Sequence, residues 1–342
     1  MRKMKKIAAL LLCGVLATGF FTACGKNSII FMGRLSDTQV FRIGDNICTL
    51  PELKVYLTTA QKQYENVLGV DMWEQDFGGV TLEAYLKENI LGQIAQIKSM
   101  TLLAEEYGVT LTEEEEKKVQ KAANKYYSSL NEKEIEYMGV DEETIASLYR
   151  EYALANKVYE EITKNVDNEV SDDEARKITV QQILFAFDDE TSESTKNSQY
   201  KKAKKILKKV KAEGADFASI AEKNSEDETI EYTFGKGEKE QPLEDAAFNM
   251  ENNQISDIIE TSYGYVIMKC ISNFDRAETD ANKDEIVEKR KTEAFDAVYD
   301  EFVEKQASQF NDELWAEITF TEDKDISNMT FFEVFNDIWE KE

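Results

Sequence analysis

Thr261-Ser262-Tyr263-Gly264-Tyr265-Val266-Ile267-Met268-Lys269 is the stretch on which the fold turns. It reads as a tight turn running into an apolar strand. Before it, Lys236-Gly237 is a glycine turn, and Pro242-Leu243-Glu244-Asp245-Ala246-Ala247-Phe248 is a short helix. Further upstream, Ala215 to Ala221 forms another short helix, with Asp216 placed to cap it. Ile178 to Phe187 is the partner strand. Between strand and helix lies the basic run Lys201 to Lys211, with Ala203, Ile206, Leu207 and Val210 on one stripe. That stripe fits a helix packed on a sheet with its lysines in solvent; the alternative is a patch that contacts teichoic acid or a membrane.

Outward from this centre the pattern is helical. Val40 to Cys48 reads as strand, turn, strand around Gly44-Asp45-Asn46. Thr49 then caps a helix to about Leu68, with Pro51 in its first turn and Glu52 completing a capping box. Thr81 to Tyr107 is a long amphipathic helix stopped by Gly108, and Thr112 starts another through about Leu130. Glu132 to Met138 is a short helix ended by Gly139, and Asp141 caps a long one to about Val166. After Phe274 a helical run extends from Asp280 to about Phe310. Trp315 to Phe320 reads as a strand and Met329 to Trp339 as a last helix. The aromatic density of that helix fits either ordinary core or an exposed groove for unfolded chains.

Three phrases in fixed order resemble the parvulin (PpiC-type) peptidyl-prolyl isomerase domain: Gly214 to Ala221, Lys236 to Phe248 and Thr261 to Lys269, within Lys177 to Phe274. The hairpin-plus-helix start resembles, in pattern more than motif, the SurA/PrsA-type chaperone domain. The resemblance implies an α+β fold. A helical chaperone-like lobe is built from residues 38–170 and a C-terminal segment 280–342 that packs back on it. Inserted between them, 175–275 form a four-stranded antiparallel sheet plus helices.

The same resemblance points to site residues. The family's first-strand histidine falls on Gln182, its second histidine on Val266, and its central Cys or Asp on Asp227, or on Glu226 if the match slips by one. Leu243 and Phe248 match apolar lining of the proline pocket, Lys239 stands where Met is usual, and Thr261 and Tyr263 lie in the last turn. The chain has no histidine at all. Rotation about an X–Pro bond meets a barrier of about 18–20 kcal/mol but needs no proton transfer. Weak catalysis therefore remains physically open with Gln182, which still donates and accepts hydrogen bonds. No cofactor is implied.

Residues 1–23 read as a lipoprotein signal peptide: Arg2, Lys3, Lys5 and Lys6, then an apolar run, then Phe21-Thr22-Ala23-Cys24-Gly25. Lipid on Cys24 would anchor the chain, through a tether at 24–37, to the outer face of the cytoplasmic membrane. The formal net charge of −27 argues against nucleic acid as a partner and against lying flat on an anionic bilayer. Cys48 and Cys270 read as separate buried thiols rather than a bridge, and no zinc or calcium pattern is present. Three expectations result: a lipid-anchored foldase for unfolded exported polypeptides with weak or absent isomerase activity, an active isomerase, or a non-catalytic scaffold lipoprotein of an export or cell-wall complex. Homodimerisation is left open.

Overall fold

The computed structural model describes residues 35–341 apart from 77 and 189. The signal peptide, Cys24 and most of the tether lie outside the described residues. The fold is mixed α and β. The chain divides into an inner unit, Val166–Glu293, and an outer unit formed by the residues on either side of it.

The outer unit begins with strands β1 (Gln39–Ile43) and β2 (Asn46–Thr49), followed by helices α1 (Leu50–Leu68), α2 (Leu82–Tyr107), α3 (Glu113–Tyr127), α4 (Glu132–Met138) and α5 (Glu142–Thr163). Local sequence sets these boundaries. Glu52 accepts from the Thr49 amide at 2.6 Å, Thr81 caps α2 through the Ala84 amide, and Asp141 caps α5 through the Thr144 amide. Thr112 and Glu115 bond each other's backbones reciprocally. Gly108 adopts the left-handed conformation at the end of α2 (φ 64°), which favours glycine. The C-terminal helix α12 (Phe331–Lys341) inserts its aromatic face into this bundle. Phe331 is fully buried, stacks on Tyr149 at 4.4 Å and meets Tyr126 edge-on. Phe332, Val334, Phe335 and Ile338 are buried with it, so these side chains are core rather than an exposed groove.

Two expectations for the C-terminal segment need correction. The helical run does not reach Phe310: α10 (Arg276–Val303) ends earlier, and Ser308–Phe310 form strand β7. β7 joins β1 with Phe41 opposite Phe310 and gives a three-stranded sheet. Nor are Trp315 to Phe320 a strand. Asn311 caps a short helix, α11 (Asp312–Glu317), by accepting from the Leu314 amide. The Asn-Asp-Glu start signal prevails there over the apolar residues that follow.

The inner unit holds α6 (Asp172–Ala175), β3 (Ile178–Ala186), α7 (Glu193–Val210), α8 (Phe217–Asn224), β4 (Glu231–Phe234), α9 (Gln241–Phe248), β5 (Ile259–Thr261) and β6 (Gly264–Ser272). Its strands form one antiparallel sheet in the order β4-β3-β6-β5. Strand alternation divides the side chains between two faces. Ile178, Val180, Val266, Met268 and Cys270 pack with Leu243 and Ala247 of α9. Ile183, Phe185 and Ile267 pack with Ala203, Ile206 and Val210 of α7 and with Phe217 and Ala221 of α8. The lysines of α7 at 201, 202, 204, 205, 208 and 209 are exposed. Cys48 and Cys270 are both buried free thiols.

Candidate functional site

Strand β3 and the loop after α8 build the site together. The Glu226 amide donates to the Leu184 carbonyl at 2.9 Å, and Ser225 Oγ accepts from the Leu184 amide at 3.1 Å. Pinned in this way, the two acids of the loop point to different places. Glu226 accepts from the Ala186 amide and from Gln199 on α7, tying strand to helix. Asp227 turns to Gln182, whose Nε2 donates to its Oδ2 at 2.9 Å. Tyr232 of β4 donates its hydroxyl to the same oxygen at 2.7 Å, and the Thr229 amide donates to Oδ1 at 3.1 Å.

This carboxylate sits on an open cavity of about 920 Å³. Gln182, Asp227, Lys239 and Tyr263, all named from the sequence, line it together. Burial, then the hydrogen bond to Asp227, pushes the Tyr232 phenol above its ordinary value. Burial, then the Glu240 and Asp227 charges, does the same for Tyr263. Glu240 is held low by the Ser262 hydroxyl and amide, which both donate to it. Lys239 places its ammonium 4.5 Å from the Tyr232 ring centroid and 5.9 Å from that of Phe234.

Glu226, the alternative match, lines it as well, whereas Leu243, Phe248, Thr261 and Val266 are not among the cavity's lining. Leu243 is 2% exposed in the core beneath α9, and Val266 is fully buried opposite Leu184. Phe248 lies edge-on to Phe234 under the Arg176 guanidinium. Thr261 donates its hydroxyl to the Gly264 carbonyl and shapes the last turn. Sequence reasoning missed Tyr232, Glu228 and Glu240, which do line the cavity. Tyr232 is brought in by the antiparallel register that sets it opposite Val180, which no motif in the sequence signals. Among the described residues no cluster of side chains suits a metal ion, and no helix is long and apolar enough to cross a membrane.

Residues 160–273 match the family model for the PPIC-type PPIASE domain, which includes the whole site. This part of the chain is therefore similar to the parvulin-type isomerase domain. The chain is also similar to foldases of the PrsA type. It is 26% identical over 205 residues to "Foldase protein PrsA" of Caldanaerobacter subterraneus, covering 58% of this chain and 61% of that protein. With the protein of the same name from Streptococcus mutans it is 29% identical over 164 residues, 46% of each. The chain thus spans less than two thirds of the length of these relatives. A solved structure, peptidylprolyl isomerase (PrsA) from Bacillus cereus, is similar at 24% identity over 74% of this chain and 90% of that one, with a TM-score of 0.35.

Proposed function

We propose that this protein is a lipid-anchored extracytoplasmic foldase that assists exported polypeptides, with an isomerase-type domain of weak or absent activity. The observation that carries the reading is the parvulin-type cleft itself. It keeps the central carboxylate, Asp227, yet fills the two histidine positions with Gln182 and a buried Val266. Gln182 has spent an amide N–H on Asp227, and Val266 has no polar atom. The cleft can still seat a prolyl segment and offer it a fixed carboxylate and the half-exposed Tyr263 phenol. It lacks the two imidazole rings that would tune the field at a twisting amide. Weak turnover with retained binding is the physical consequence.

Protection of unfolded clients falls to the outer unit. Tyr64, Val67, Leu68, Val70, Val80 and Tyr85 are exposed there, from the last turns of α1 to the first turn of α2, with Val67 77% exposed. Apolar side chains left in solvent and close in sequence suit weak, sequence-tolerant capture of apolar segments, at about 25 cal/mol for each Å² covered. The anchor is supported by the Thr22-Ala23-Cys24-Gly25 sequence and places the work outside the cytoplasmic membrane. A protease-free prolyl isomerisation assay tests the catalytic half of this reading. The expected result is at most a small acceleration over the uncatalysed rate, lost in Asp227→Ala. A large acceleration that survives Asp227→Ala would overturn the assignment of the site.

A further inference from the structure

The cavity around Asp227 carries an uneven charge. Glu226, Asp227, Glu228, Glu238 and Glu240 line it, with Lys239 the only cation among the described lining residues. Lys177 pairs with Glu238, and Lys202 lies 3.7 Å from Glu226, so two of the five are answered from outside the lining. Asp227, Glu228 and Glu240 have no cation within ion-pairing distance among the described residues.

Lys239 places its ammonium over aromatic rings, centred on Tyr232. That ring is well prepared for a cation. Its hydroxyl donates to the Asp227 carboxylate, and a phenol that donates to an anion becomes richer in electrons across its face. The arrangement is a cation seat built from an aromatic face and unneutralised carboxylates, currently filled by a residue of the same chain. Lys239 is itself exposed, on a flexible stem, and little holds it there.

We propose that the groove selects prolyl segments in which a Lys or Arg stands beside the proline, the incoming cation replacing Lys239 over Tyr232. The proposal rests on the groove being a peptide site and names the class of peptide it prefers. Asp227, Glu228 and Glu240 supply the attracting field, the Tyr232 ring supplies the contact, and Lys239 is an internal competitor that keeps the seat occupied when no segment is bound. A glutamate beside the proline would meet the same carboxylates and be repelled.

Fluorescence anisotropy on the full chain in detergent micelles tests this directly. The probes are labelled prolyl peptides that differ only in the residue before proline: lysine, norleucine or glutamate. The lysine peptide is expected to bind about tenfold more tightly than norleucine, and glutamate most weakly. The gap narrows as ionic strength rises. Lys239→Met tightens the lysine peptide further by removing the competitor. Glu228→Gln, at an exposed side chain, narrows the gap without affecting the fold. Equal affinity for all three peptides would overturn the charge selection while leaving the peptide groove in place. Failure of all three to bind would overturn both.

Discussion

Lys98 is the one lysine among the described residues to be nearly lost from solvent, at 2% exposure on α2. Its ammonium lies 2.9 Å from Glu52 on α1 and 2.7 Å from Glu151 on α5. Burial pulls its affinity for the proton down, but the two carboxylates outweigh burial and hold it above its ordinary value. One cation shared by two anions leaves an excess negative charge. Burial, only partly opposed by Lys98, accordingly pushes the Glu151 carboxyl up. Lys98→Met would strand both carboxylates in the bundle, and a loss of about 3–5 kcal/mol is expected in urea unfolding. Glu151→Gln behaves differently. A folded-state value above the unfolded 4.5 means that the native protein takes up this proton first. The group's unfavourable contribution is therefore full at neutral pH and fades as pH falls through the raised value toward 4.5. The variant should be the more stable protein at pH 7 relative to pH 4.5, comparing differences from wild type. A difference that grows on acidification would contradict this. None of the network was legible in the sequence, because Glu52, Lys98 and Glu151 are far apart and each sits within a run of ordinary helix. Asp227 and Gln182 were legible through family phrases, but Tyr232, their third partner, depends on a strand register that no phrase encodes.

At the scale of elements, the turn between β5 and β6 has the least room. A Cβ at Gly264 would lie 2.6 Å from the Phe185 carbonyl oxygen and 2.7 Å from Leu184 Cδ1. Backbone of β3 cannot yield there without breaking its register with β6, which sets Ala186 opposite Gly264. Gly264→Ala is expected to cost about 2 kcal/mol or more, measured by chemical denaturation. A change within about 0.5 kcal/mol would show that the two strands separate easily. The glycine was readable because the turn and the apolar strand adjoin in sequence. Helix starts were readable for the same reason: Thr81, Thr112, Asp141 and Asp216 all act within three residues of themselves. Strand β7 was not. Ser308-Gln309-Phe310 carries no alternation of its own and becomes a strand because β1, far away in the chain, offers an edge. Propensity at Trp315 to Phe320 was then outweighed by the Asn311 cap.

For the whole molecule, two compact units have separate tasks in this account. The inner unit holds a groove with a fixed carboxylate and no histidine. The outer unit buries its C-terminal aromatics and leaves other apolar side chains, Tyr64, Val67, Leu68, Val70, Val80 and Tyr85, in solvent. The net charge of −27 was readable from composition, but not which apolar residues would remain uncovered, since that depends on which helix faces find partners. If the exposed apolar side chains capture clients, Leu68→Asp with Val70→Asp should weaken capture, and stability should change little because both side chains are already in water. The measurement that tests the foldase assignment most directly is suppression of aggregation: a denatured exported protein is diluted into buffer with the full chain, and light scattering is followed. The account predicts that scattering falls in proportion to the chain added, equally well for Asp227→Ala, and less well for the Leu68→Asp, Val70→Asp variant. Scattering unchanged by the wild-type chain would contradict it.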